Sequence, residues 1–417
     1  MKKQAIILLM FFVYSSLSAI SFEEPTAFIN DHTIPIFIGY TQKSVFSNQF
    51  GPRGVKIKSL REYESKFGKE PNEAGQDVYL LYNSIRLFYA NGGKECYIIS
   101  VENYDEENPE IKREKLVSGL NNIPTFDSPS LLVIPETVRL SPQESGFVHQ
   151  IMLRKAEELG NSFAILDMVD GDSPINSSER PVENFKKYLG LQRLSFGAVY
   201  YPWLKTSLKS SGKSSFQTAN RKTETQILPP SAAIAAAIVV NDKDRGMWKA
   251  PANISLSSVI EPVVKLSEAE MGQLNVDPQT GKSINPIRIV PSRGTVIWGA
   301  RTLAGNDNEW RFISVRRTAE KIKTDLTAEM AGFKNSRNDV DTWNEIRARV
   351  EGYLNALWRR DAMAGVSPGQ AYFARVGVGH TMTENDVRNR RLLLSVGVAM
   401  VRPAEFIVIS LEQEMTR

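Results

Sequence analysis

IPIFIGYT, residues 34–41, is a short apolar run that closes on a glycine. Its first five residues are all Ile, Pro or Phe with no charge among them, so it reads as a strand buried on both faces and ending in a Gly turn. The elements on either side of it decide what kind of sheet it joins. Val78, Leu81, Ile85 and Phe88 fall on one helical face, and Asn91-Gly92-Gly93 stops that helix. Cys96–Val101 and Leu131–Ile134 are further buried strands, the second closed by Pro135. Ser141-Pro142-Gln143-Glu144 opens a helix with an N-cap serine, proline at the first position and glutamate at the third, and that helix runs to Gly160. Phe163–Val169 and Leu194–Tyr200 are again strand-like. Apolar strands alternating with amphipathic helices require a largely parallel sheet covered by helices.

The texture changes after residue 204. Residues 204–226, LKTSLKSSGKSSFQTANRKTETQ, are rich in Ser, Thr and Lys and read as an exposed loop or linker. Pro229-Pro230-Ser231 then starts an Ala-rich helix, SAAIAAAIVV, whose small side chains permit close packing. Residues 284–317 look like strands joined by Gly turns. Val340-Asp341-Thr342 opens a long helix with Trp343, Ile346, Val350, Leu354 and Leu357 at three- and four-residue steps, a stripe that reads as core. Leu392–Leu411 is strand-like, broken at Arg402-Pro403. The fold class expected is therefore α/β with a mainly parallel sheet, followed by a mixed α+β domain.

The chain has 417 residues, 42% apolar and 24% charged, with a net charge of +4. That length accommodates two or three domains, and so small a charge does not announce a nucleic-acid binder. A single cysteine, Cys96, rules out an internal disulfide framework and a Cys-based zinc site. No apolar run reaches the roughly 18–20 residues that span a bilayer. The first residues, MKKQAIILLMFFVYSSLSAIS, have the outline of a secretory leader: two lysines, an apolar core at Ala5–Tyr14, then small residues.

Motifs for chemistry are weak. Gly212-Lys213-Ser214 resembles the end of a phosphate-binding loop, but the required earlier glycine position, 207, holds Ser and the context is linker. Asp167, Asp170 and Asp172 cluster after a strand and can be read as a Mg²⁺ site or, more plainly, as a solvated turn. His32, His149 and His380 form no helical metal pair, and no Gly-x-Ser-x-Gly elbow is present. Cys96 in a buried strand reads as a core thiol. No cofactor or metal is expected, and the weight shifts from catalysis to contact.

An ordered series of short motifs gives that contact a direction. ILPPS at 227–231, NDKDRGMWKAPAN at 241–253, INPIRIVPSRGTVIWGARTL at 284–303, WRFISVRR at 310–317 and RPAEFIVI at 402–409 together resemble the C-terminal domain of contractile tail sheath proteins of phages, R-type pyocins and phage-derived injection systems. IPIFIGYT, SIRLFYANGGKECYIISV at 84–101 and YYPWL at 200–204 are similar to the first half of that family. The resemblance implies a non-enzymatic structural subunit that polymerises as stacked rings around an inner tube and contracts to drive the tube through a target membrane. It implies an arm at residues 1–33, an α/β domain at 34–204, a linker at 205–226 and an assembly domain at 227–417 with a terminal β extension. The partners implied are other copies of the chain, the inner tube, the baseplate and a terminator or cap protein, with no nucleic acid and no direct membrane insertion; assembly is expected in the cytoplasm, or the subunit ends in a released particle.

The family's arm usually begins P-G-V-Y-x-x-E. Val13-Tyr14 stands at a similar distance before the first strand, without the Pro-Gly or the Glu. Ala5–Tyr14 is thus readable as a β-pairing arm or as a leader, with a mis-assigned start codon as a third reading. Interface residues expected are Val13, Tyr14, Arg293, Trp298, Arg301, Arg316, Arg317, Arg402, Glu405 and Phe406. Residues 284–323 carry eight Lys/Arg against three Asp/Glu, which suits an acidic partner surface; each arginine is equally readable as a staple within the domain. The rival functions are an exported surface or adhesion protein, and a metal-dependent α/β hydrolase using Asp167 or Asp170.

Overall fold

The structure is a computed structural model that describes residues 32–44, 54–71, 78–124, 130–209, 225–275, 277–400 and 406–416. Six strands form the parallel centre: β1 (Ile34–Thr41), β3 (Cys96–Asn103), β4 (Ser130–Val133), β5 (Ser162–Leu166), β6 (Gly197–Tyr201) and β11 (Asn285–Val290), with β2 (Val55–Ile57) antiparallel to β3 at one edge. At the other edge β12 (Gly294–Ile297) turns back on β11 and β9 (Ile254–Ser255) pairs with β12. The full order is β2-β3-β1-β4-β5-β6-β11-β12-β9. The first parallel strand lies inside the row between the second and third, which is a doubly wound arrangement.

Alternation along the strands divides the core in two. Phe37, Leu131, Val133, Phe163, Ile165 and Tyr200 face one helical layer, and Ile36, Ile38, Leu132, Leu166, Val199 and Tyr201 face the other. The first layer contains α1 (Leu60–Phe67), α2 (Leu81–Ala90) and α6 (Ser231–Arg245); the second contains α3 (Arg113–Asn121), α4 (Pro142–Leu159) and α5 (Pro181–Tyr188). The capping box expected at Ser141 and Glu144 forms at the start of α4. In α6 the alanines from Ala232 to Ala237 are almost wholly buried, so their small size sets how closely α6 approaches the sheet.

A third core belongs to the C-terminal part. It packs α8 (Ile313–Ala331) and α9 (Val340–Arg359) against an antiparallel sheet of β13 (Tyr372–Val376), β14 (Arg391–Ala399) and β15 (Phe406–Glu414). The stripe Ile346, Val350, Leu354 and Leu357 lies in this core. A short helix, α7 (Glu268–Asn275), precedes β11.

Four expectations are corrected. Gly39 does not end β1; it lies inside it, and a Cβ there would stand 2.6 Å from Glu136 Oε2. Part of the expected linker is sheet: β7 (Leu204–Lys209) pairs with β8 (Thr225–Leu228) and with β10 (Val259–Pro262), a distant segment that supplies the backbone partners composition cannot reveal. The stretch 284–317 is strand only to Ile297, because Ile313 already begins α8. The boundary at 204–227 does not separate two bodies, since β9, β11 and β12 extend the first sheet; the cores divide near α8 instead.

Candidate assembly surfaces

In a doubly wound sheet, ligands collect in the crevice at the carboxyl ends of the strands, where the order reverses, beside a helix N-terminus. Here that crevice lies between β1 and β4, and the chain fills it itself. Glu136, which follows β4, is wholly buried. Its carboxyl accepts from the backbone N–H of Tyr40 at 2.9 Å, Leu80 at 3.1 Å and Leu81 at 3.2 Å. The last two belong to the start of α2, so a side chain satisfies the donors that a bound phosphate would otherwise take. Asp167 does the same after β5: it is buried and accepts from the backbone N–H and the hydroxyl of Ser231, at the start of α6. Asp167 is therefore a structural cap. The metal-site reading of Asp167, Asp170 and Asp172 finds no support: among the described residues no cluster of His, Cys, Asp or Glu is arranged to hold a metal.

Burial pushes the Glu136 carboxyl up to about 8, against the pull of its three N–H donors, and the Asp167 carboxyl up to about 7 against Ser231. Both hold a proton in the fold at a pH where the unfolded chain has lost it. Their contribution is complete below the ordinary carboxylate range and is lost as the pH rises through 7 and 8. Thermal unfolding should therefore show Tm falling between pH 5 and pH 8, and Glu136→Gln should flatten the fall. An identical slope in the variant would remove Glu136 as its source.

The cationic region expected to meet a partner separates into exposed and internal groups. Arg293 is exposed in the β11–β12 turn, where Nη1 donates to Asn253 Oδ1 at 2.6 Å. Trp298 is 46% exposed and stacks with Arg288, whose guanidinium carbon is 4.8 Å from the ring centre; Arg288 also pairs with Glu268 at 2.7 Å. An exposed Trp beside an Arg is the composition of an interface anchor. Arg301 is half-buried, donates from Nη1 to the carbonyl of Gly305 at 2.6 Å and lies over Phe312.

The other two arginines are internal, which corrects the expectation that they face a partner. Arg316 is 9% exposed, sandwiched between the rings of Phe196 at 3.8 Å and Trp310 at 4.3 Å, and paired with Glu320 at 2.7 Å. Arg317 is 5% exposed and grips Asp242 with both terminal nitrogens, at 3.0 and 2.6 Å, while Nη2 also donates to Thr33 Oγ1. Thr33 in turn donates to Asp242 Oδ2 at 2.7 Å. These contacts tie the start of β1, α6 and α8 together, so this buried ion pair reinforces the junction of the first and third cores, both of which α8 enters. Sequence reading missed Asp242, Thr33 and Arg288, whose partners lie 20 to 284 positions away, and Glu320, which pairs with Arg316 one helical turn away. The charged run NDKDRG was the one available signal for Asp242.

The terminal residues on the expected interface mostly lie outside the described residues: Val13, Tyr14, Arg402 and Glu405. Phe406 is the first residue of β15 and pairs with Ala399. All nine residues of β15 pair with β14 of the same chain, with Ile407, Ile409 and Leu411 buried and Val408 56% exposed. Among the described residues neither β13 nor β15 has a second neighbour, so both edges of this sheet offer unpaired backbone groups.

Comparison with known proteins fits this architecture. Residues 305–414 match the phage tail sheath C-terminal domain family. The sheath complex of an extracellular contractile injection system, PVC, in its contracted state is 28% identical over 98% of both chains, with a TM-score of 0.66. The helical sheath of the anti-feeding prophage, also contracted, is 28% identical over 91% of this chain and 92% of that one, with a TM-score of 0.63. A sheath tail protein from Listeria innocua shares the fold at 10% identity, with a TM-score of 0.59 over 93% of this chain and 96% of that one. No curated protein matches. The class these features support is a structural protein of an oligomeric assembly. Residues 305–414 are thus similar to the tail sheath C-terminal domain, and the whole chain is similar in sequence and fold to sheath subunits of contractile injection systems, which supports a structural sheath subunit, a component of an oligomeric particle.

Proposed function

We propose that copies of this chain stack as rings around an inner tube and are linked by exchanged β-strands that persist while the lattice shortens. The observation that carries this reading is the β13–β14–β15 sheet, apolar on its inner face and open at both edges among the described residues. An extended segment of another copy adds to such an edge through backbone hydrogen bonds alone, and the joint can rotate without parting. Val13 and Tyr14, in a run of good strand residues, supply that segment. Arg402, Glu405 and Phe406 lead into β15 and set the joint on its other side. Arg293, Trp298 and Arg301 face a neighbouring copy or the tube, where a cationic and aromatic surface suits an acidic partner. A baseplate starts the stack and a cap ends it, assembly takes place in the cytoplasm, and shortening drives the tube through a membrane. The extended lattice is a kinetic trap, released without nucleotide hydrolysis.

Negative-stain microscopy of the purified chain, alone and with a tube protein, tests this. Hollow striated tubules are expected. Compact monomers under both conditions would end the proposal.

A further inference from the structure

A cleft of about 350 Å³ opens where α8 and the C-terminal core meet the end of β12. It falls within the roughly 300–1,000 Å³ of cavities that hold ligands. Its walls are mainly aromatic and apolar, with Trp248, Trp298, Phe312, Val315 and Met400 among them. Three polar side-chain atoms of this lining are buried without a hydrogen-bond partner: Trp248 Nε1, Thr318 Oγ1 and Asn275 Oδ1. Trp248 is 7% exposed and Thr318 2%. Folded proteins leave few buried donors and acceptors unpaired. One N–H donor, one carbonyl acceptor and one hydroxyl that serves as either are the complement of a peptide backbone, and the apolar walls are the complement of its side chains.

We propose that this cleft is the docking site of the chain's own apolar run, Ala5–Tyr14, one or two of whose large side chains would fill it. The place where the described chain starts points to it. Thr33 is hydrogen-bonded to Arg317, and the next residue of α8, Thr318, lines the cleft with Ser314 and Val315. The tether from Tyr14 to Thr33 is long enough to reach, since a flexible chain of that length spans on the order of 25 Å. Such a tether makes docking intramolecular and raises the effective concentration of the run. The run carries no charge, so leaving it in water is unfavourable. Charge is complementary too: Glu23 and Glu24 lie in the tether, and Lys249 and Arg301 lie in the cleft lining. A docked run is withheld from other copies, so an unassembled subunit would not pair prematurely. That consequence rests on the sheath reading; the docking itself does not.

Disulfide trapping tests it on the full-length monomer, because the native Cys96 is buried and silent. Ala250 is exposed and lines the cleft. The pair Phe12→Cys with Ala250→Cys should close within one chain roughly tenfold faster than Phe12→Cys with Arg61→Cys, an exposed position on α1 next to β2. Equal rates, crosslinks that join two chains, or a purified chain whose intact mass lacks Ala5–Tyr14 would each overturn the proposal. A second variant, Ala250→Trp, fills the mouth of the cleft. It should raise chymotryptic cleavage at Phe11, Phe12 and Tyr14 about tenfold over the parent chain, and an unchanged rate would count against docking. Tubules seen by microscopy together with failed trapping would remove the docking site and leave the sheath reading intact.

Discussion

Arg317→Met should lower the stability of the subunit by about 3–5 kcal/mol, the usual cost of breaking a buried ion pair from one side. The side chains of Arg317 and Asp242 are 4% and 1% exposed. Methionine leaves the Asp242 carboxylate in that interior with only the Thr33 hydroxyl from this network. Against a net stability of about 5–15 kcal/mol for a typical fold, the loss is large. The double variant Arg317→Met with Asp242→Leu should recover most of it, since replacing both charges by apolar groups is often close to neutral. Urea unfolding of the parent, both single variants and the double variant measures the coupling. A single variant within about 1 kcal/mol of the parent would show that the pair does not reinforce the junction of the two cores.

Deletion of residues 1–20 should leave a folded subunit that no longer polymerises. The segment lies before β1 in the chain, and every strand of the described nine-stranded sheet falls between Ile34 and Ile297. If it pairs with a neighbour's edge over about five residues, the joint is worth on the order of 5 kcal/mol, so its loss raises the concentration needed for assembly by roughly 10³–10⁴-fold. Sedimentation and negative-stain microscopy of the deleted and full-length chains read this directly. Tubules formed by the deleted chain at the parent's concentration would refute arm exchange. Removing residues 403–417 is a less clean experiment, because β15 covers β14 in the same chain. Its loss would uncover Leu392, Leu394, Val396 and Val398 and damage the third core itself.

Buried Glu136 and Asp167 explain why an α/β sheet with an apparently open switch point need not act as an enzyme. Their carboxyl groups occupy the helix N-termini where a phosphate binds in ligand-binding proteins of this architecture. Asp167 was visible in the sequence as a candidate metal ligand, and Glu136 was not singled out. Neither role was readable there, because the donors come from Ser231 and from Leu80 and Leu81, which are remote in the chain.

Local pattern was enough to identify most of the layered first half and the long helix near residue 350. Apolar runs such as Ile34–Thr41, the Ser141–Glu144 capping box and the stripe from Ile346 to Leu357 are short-range signals, and periodicity reports them directly. The ordered motifs from Ile227 to Ile409 carried the resemblance to contractile tail sheath proteins. Only the tertiary structure decided that β7 and β8 are strands, that β11, β12 and β9 extend the first sheet, and that Arg316 and Arg317 point inward while Trp298 and Arg293 point out. Each of those outcomes depends on a partner tens to hundreds of residues away, and burial and pairing across such separations leave no periodic trace in the chain.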